Sequence, residues 1–209
     1  MNAHTKETQD QMTPVLSLEV LKKGNERFRA SQKAPRDLMQ QVAATSKGQY
    51  PFATVLSCID SRVSSELIFD QGIGDLFSVR IAGNFVNEDI LGSMEFACKL
   101  AGTKLVVVLG HTACGAVKGA CDHARLGNLT ALIKKIEPAV AAVQQPEEAS
   151  LRNSTNLDFV NDVAVKNVLM TIDQIRSESP VLAEMEKKGE IQIVGGMYNI
   201  DSGEVNFFE

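Results

Sequence analysis

Two short runs hold the side chains able to do chemistry together: Cys58-Ile59-Asp60-Ser61-Arg62 and Gly110-His111-Thr112-Ala113-Cys114-Gly115. They supply two thiols, an imidazole, a carboxylate and a guanidinium. Cys58, Asp60 and Arg62 stand at alternate positions, so an extended segment puts all three on one face. There Asp60 is placed to accept a bidentate fork from Arg62, beside whatever Cys58 holds. His111 and Cys114 are three apart, and a tight turn brings both to one point. A helix start from Ala113 onward sets Cys114 near a helix N-terminus, which lowers a thiol pKa and favours the thiolate a metal needs. Two thiolates and an imidazole suit zinc. Structural zinc sites usually close with four protein ligands. Here three soft ligands converge and the fourth place falls to Asp60 or to water, the composition of a catalytic site with an open position. The two thiolates cancel the formal charge of Zn2+. A water there should be less acidic than at an all-histidine site, and activity should rise toward alkaline pH.

Other candidates carry less. Cys98 and Cys121 read as core thiols. His123, beside Asp122, reads as a solvated helix end, and His4 lies in the polar N-terminal stretch. Gly110 to Gly115 has the spacing of a phosphate loop, but Ala116-Val117 stands where Lys-Ser/Thr is required, which disfavours nucleotide binding.

Both motifs must sit at strand ends. Phe52–Cys58 and Lys104–Leu109 are apolar without alternation, as in parallel strands covered on both faces. Leu76–Ile81 and Ile191–Gly195 add two more strands, and Val205–Phe208 a last short one. Helical patterns lie at 64–71, 88–101, 126–143 and 156–176, with Pro146 in a loop. The pattern at 88–101 puts Ile90, Leu91, Met94, Cys98 and Leu100 largely on one side. Residues 17–31 form an amphipathic arm with Ser17 as N-cap, kinked or broken at Gly24. Such an arm packs on its own core or embraces a partner. Residues 34–48 carry a weak helical pattern, and Pro51 marks the entry to the first strand. The class is α/β: a mainly parallel four-stranded sheet with an added edge strand, flanked by helices. Open sheets of this kind bind ligands at the C-terminal ends of their strands. The expectation is one domain over 1–209, with 1–50 as the helical arm and 51–209 as the α/β core.

The chain of 209 residues is 44% hydrophobic and 22% charged, with net charge -5. That balance argues against nonspecific nucleic-acid binding, and no apolar run is long enough to cross a bilayer. Four cysteines suggest reduced thiols or ligands rather than a disulfide scaffold. The cytoplasm is therefore the default compartment, and the periplasm the alternative if a signal peptide has been removed.

The motifs resemble those of the β-class carbonic anhydrases of bacteria, in the plant-type-like subclass. The likeness runs through Gly24-Asn25-x-Arg27-Phe28, Cys58-x-Asp60-Ser61-Arg62-Val63, Gly74-Asp75-Leu76-Phe77-x-Val79-Arg80-x-Ala82-Gly83-Asn84, Glu95-Phe96-Ala97 and Gly110-His111-x-x-Cys114-Gly115. The resemblance implies zinc held by Cys58, His111 and Cys114, and reversible hydration of CO2 to bicarbonate through zinc-bound hydroxide. It implies that Asp60, held by Arg62, orients the nucleophile, and that Asp60 becomes a ligand when Arg62 releases it. It assigns substrate contacts to Gln49, Phe77, Ala82, Phe96 and the Gly115 N–H. It also implies homodimers with wrapped N-terminal helices and an active site at the interface, paired in many members into homotetramers.

Three positions depart from the family pattern. Val55 stands where the other subclass has the Trp of an inhibitory bicarbonate pocket, Ile59 replaces a usual Ser, and Phe96 replaces a common Tyr. Competing readings are a carbon disulfide or carbonyl sulfide hydrolase on the same fold and a zinc-stabilised interaction module without turnover.

Overall fold

Ala53–Ser57 is buried at every position and forms β1, and Leu105–His111, buried likewise, forms β3. The computed structural model, which describes residues 2–208, pairs them in parallel at the centre of a five-stranded sheet. The outer neighbours are β2 (Leu76–Arg80), beside β1, and β4 (Gln192–Tyr198), beside β3. β5 (Val205–Phe207) runs antiparallel along β4. The order is thus β2-β1-β3-β4-β5, four parallel strands with one added at the edge.

Helices cover both faces, which is why the central strands carry no polar alternation. α1 (Lys6–Asp10), α2 (Pro14–Arg29) and α3 (Leu38–Thr45) precede the sheet, and α4 (Ser65–Ile68) follows β1. Leu21 of α2, with Ile68 and Phe69 at α4, packs on Ala53, Val55, Leu105, Val107 and Leu109. On the opposite face Leu56, Val106, Val108 and Ile193 meet α5 (Glu88–Glu95), α6 (Gly115–Cys121), α7 (Leu129–Ile133), α8 (Glu137–Ala142), α9 (Leu157–Glu178) and α10 (Pro180–Lys187). Burying a side chain such as Leu21 stabilises the fold by about 1.5–3 kcal/mol. Among the described residues no helix is long and apolar enough to cross a membrane.

Several expected boundaries move. α2 begins at Pro14, capped by the Thr13 hydroxyl, while Ser17 is buried inside the helix. It runs unbroken through Gly24, whose Cβ, if present, would lie 1.8 Å from the Phe69 carbonyl oxygen. The glycine therefore permits a close approach of α2 to α4 rather than a kink. Asn25 fastens the same junction, donating from Nδ2 to the Ile68 and Gly203 carbonyls and accepting from the Val205 N–H.

The single helix expected over 126–143 is two, because Pro138 lacks an N–H and sits at the start of α8. The helix over 88–101 ends in a π-helical turn, Phe96–Leu100. That wider turn breaks the 3.6-residue phase, so Leu100, expected on the buried side, is 76% exposed. α10, capped by Ser179, was not foreseen.

Candidate metal centre

β1 and β3 are adjacent and parallel, with Ser57 opposite Leu109, so both strands lead out of the sheet at the same end. Cys58 follows β1 directly. β3 continues past the expected end at Leu109, because β4 runs alongside it to Tyr198, and His111 is its last residue. The imidazole is thus presented from a strand rather than from a turn. Gly110 makes this possible: a Cβ there would meet Met197 Sδ at 2.6 Å and Val168 Cγ2 at 2.7 Å. The turn comes after His111, through Ala113 at φ +53°, and delivers Cys114 to the N-cap position of α6.

The ligand atoms of Cys58, His111 and Cys114 all lie within 4.8 Å of one another, and all three residues are buried. The two sulfurs are 3.9 Å apart. Tetrahedral zinc with Zn–S bonds of about 2.3 Å would separate them by roughly 3.8 Å. His111 Nδ1 lies 3.0 Å from the Thr112 carbonyl oxygen, which can only accept, so the ring proton belongs on Nδ1. His111 Nε2 is left as a bare lone pair, buried and without a hydrogen-bond partner among the described residues. A buried acceptor of this kind costs stability unless something fills it, and a divalent soft metal does. The hydrogen bond from the Cys114 thiol draws the Cys58 thiol downward, opposed by burial and helped by the Gly83 N–H. The same shared proton, with burial, pushes Cys114 upward. A cation held between the two sulfurs would favour the thiolate form of both.

Asp60 and Arg62 form the bidentate pair expected of their spacing: Nε to Oδ1 at 2.9 Å and Nη2 to Oδ2 at 2.8 Å. The Arg62 N–H adds a third bond to Oδ1 at 3.0 Å. These bonds hold the Asp60 carboxyl well below the usual carboxylate range, against a smaller opposing effect of burial. Asp60 Oδ2 stands 3.9 Å from His111 Nε2, at the edge of the ligand cluster.

Two residues not singled out in the sequence complete this frame. Arg80, at the end of β2, donates to the carbonyls of Cys58 at 3.0 Å and Asp60 at 2.7 Å, fixing the backbone that carries both. Thr112 donates its N–H to the Tyr198 carbonyl and accepts from the Ile200 N–H, so the turn after β4 braces the residue that orients His111. Arg80 stands inside the 74–84 motif, but its targets are backbone carbonyls, which no side-chain pattern announces.

The remaining expected site residues are dispersed. Gly115 is the exposed first residue of α6, with open space where a Cβ would be. Ala82 is half-buried beside Gly83, whose N–H donates to Cys58 Sγ at 3.4 Å. Phe77 and Phe96 meet edge to face, with centroids 6.2 Å apart. They line a cleft of about 710 Å³ that also includes Val79 and Arg80. Gln49 is exposed, ahead of the N-terminal end of β1, whereas Cys58 follows its C-terminal end. Within one chain the two stand at opposite ends of the strand. Cys98 and Cys121 are core thiols, pushed by burial to about 11. His123 is a surface residue near Glu137.

The carbonic anhydrase family model matches residues 53–205. Carbonic anhydrase 2 of Mycobacterium tuberculosis is 35% identical over 196 residues, covering 91% of this chain and 90% of that protein. Among solved structures, the β-carbonic anhydrase CcaA superposes with a TM-score of 0.71 at 27% identity, over 92% of this chain and 95% of that one. A chain from the structures of two tetrameric β-carbonic anhydrases of Sordaria macrospora shares the fold, with a TM-score of 0.68 at 20% identity, over 97% and 98% of the two chains.

Proposed function

Because the chain belongs to the carbonic anhydrase family, in its β class, and is thereby a carbonate dehydratase, we propose that it works on a zinc ion held by Cys58, His111 and Cys114. The observation that carries the choice of ion is the bare, buried His111 Nε2 facing two thiols 3.9 Å apart. Bound there, zinc would supply a Lewis acid that makes water a nucleophile at ordinary pH.

The chain's own residues would do the rest. Arg62 keeps the Asp60 carboxylate ionised and turned toward the cluster, where it accepts a hydrogen bond from the reacting water and orients it. While Arg62 holds Asp60, the carboxylate would leave room for water beside a bound ion. If Arg62 lets go, Oδ2 is near enough to fill it, so the pair acts as a gate. The Gly115 N–H, in the first turn of α6, has no intrahelical acceptor and would donate to the oxygen on which charge develops. Phe77, Ala82 and Phe96 would supply apolar surface for CO2. Gln49, at the far end of β1 from its own cluster, would serve the site of a second chain. Its position thus supports a homodimer with a shared active site, paired further into a homotetramer. The cytoplasm, where thiols stay reduced, suits Cys58 and Cys114 as ligands.

Metal analysis tests the assignment. Purified protein should carry one zinc per chain, and Cys58→Ser should lose both zinc and CO2 hydration. A Cys58→Ser protein that keeps its zinc or its activity would contradict it.

A further inference from the structure

The loop that carries Cys114 and the loop after β2 that touches the Cys58 sulfur each contain a residue in left-handed backbone, and the same helix reaches both. Ala113, immediately before Cys114, has φ +53°, a conformation that residues with a Cβ disfavour. Gly83 has φ +81° and points its N–H at Cys58 Sγ, 3.4 Å away. Asn161 of α9 accepts the Ala113 N–H on Oδ1 at 2.9 Å. Asn167 of the same helix, only 4% exposed, donates from Nδ2 to the Gly83 carbonyl at 2.8 Å. Neither asparagine is among the ligands, and neither lies in a motif that marks the site.

We propose that Asn161 and Asn167 are positioning residues for the metal ligands, and that α9 is the brace setting how Cys58 and Cys114 converge. This rests on the metal reading above. Without the Asn161 oxygen, the Ala113 N–H loses its acceptor and the turn is free to relax out of the left-handed region, carrying Cys114 Sγ away from Cys58. Without the Asn167 amide, the Gly83 carbonyl is left unpaired in a buried place, and the Gly83 N–H no longer has a fixed direction toward the Cys58 sulfur. That N–H···S bond helps fix where the Cys58 sulfur lies, the part usually played by groups behind the ligands themselves. A Cβ at Gly83 would lie 2.3 Å from Ile136 Cδ1, so this loop has little room to find another route.

A helix that merely fastened loops would affect melting and nothing at the metal. The test therefore reads the metal. Zinc affinity is measured by competition with a chromophoric chelator, and the visible spectrum of the cobalt-substituted protein reports ligand geometry. The proteins compared are wild type, Asn161→Ala, Asn161→Asp and Asn167→Ala.

Asn161→Ala and Asn167→Ala should bind zinc about 10- to 100-fold more weakly and shift the cobalt bands. Asn161→Asp keeps an acceptor oxygen and should stay close to wild type in both readouts. Adding Ala113→Gly to Asn161→Ala, which removes the left-handed strain, should recover affinity. Wild-type affinity with an unchanged cobalt spectrum in Asn161→Ala would overturn the proposal, and so would an Asn161→Asp protein as weak as Asn161→Ala. Asn161 is only half-buried, so that pair of variants decides the matter even if Asn167→Ala fails to fold. A wild-type protein that takes up neither zinc nor cobalt would instead overturn the metal reading, and this inference with it.

Discussion

The Asp60 carboxylate lies close enough to the ligand cluster to join it, yet three hydrogen bonds from Arg62 hold it back. Its charge is secure at any working pH, because Arg62 holds its pKa far down. What varies is its direction. Asp60→Asn keeps the shape and removes the charge, so one oxygen loses its pairing with Arg62 and its strength as an acceptor. Turnover should fall roughly 100-fold, the usual effect of losing one preorganised polar partner, while zinc content stays at one per chain. Loss of zinc from Asp60→Asn would make Asp60 a ligand rather than an orienting group. At this scale the sequence was informative. Cys58, Asp60, Arg62, His111 and Cys114 could be read from spacing because each acts through its own side chain. Arg80, Thr112 and Asn161 could not, since the side chain of each works on backbone groups that only the folded loops bring within reach.

α2 and α4 meet where Gly24 allows backbone contact, and Asp70, just past α4, ties the junction to the segment that follows α2. Its carboxylate, 4% exposed, accepts from Arg27 Nε at 2.6 Å, the Ala34 N–H at 3.1 Å and Arg36 Nη1 at 2.5 Å. Burial works to raise its pKa, and these three donors outweigh that and lower it. A carboxyl depressed in the folded state adds stability that is fully present above its unfolded pKa of about 3.9 and lost as pH falls through the folded value. Asp70→Asn should therefore cost about 3 kcal/mol at neutral pH, as when one partner of a buried ion pair is removed. The deficit, read from urea midpoints, should shrink as pH drops toward 3. A deficit unchanged on acidification would mean that packing, not charge, holds the junction. The strands were legible because unbroken apolar runs mark sheets covered on both faces. The helices were less so: a glycine admitting a neighbour looks like a glycine breaking a helix. A π-helical turn leaves no trace in a 3.6-residue count.

At the scale of the whole molecule, the ligand cluster lies at one end of β1 and Gln49, the proposed substrate contact, at the other. If a second chain brings Gln49 to the cluster, two defective proteins should repair each other. Gln49→Ala and Cys58→Ser co-expressed as mixed oligomers would contain sites with an intact cluster from one chain and an intact glutamine from the other. Such mixtures should hydrate CO2 faster than the sum of the separate variants, whereas simple additivity would show that each chain works alone. The family likeness made the assembly expected, but the residues of a single chain do not state which end of a strand faces a partner. In the proposed reading this fold carries a zinc centre open to water under the control of Asp60. Stopped-flow CO2 hydration on zinc-assayed protein, at mildly acid and at alkaline pH, reads the turnover of that centre. Two thiolates neutralise the ion's charge and make a bound water less acidic than at an all-histidine site, so strong hydration rising with pH is the expected result. No hydration at any pH with zinc fully loaded would contradict the account.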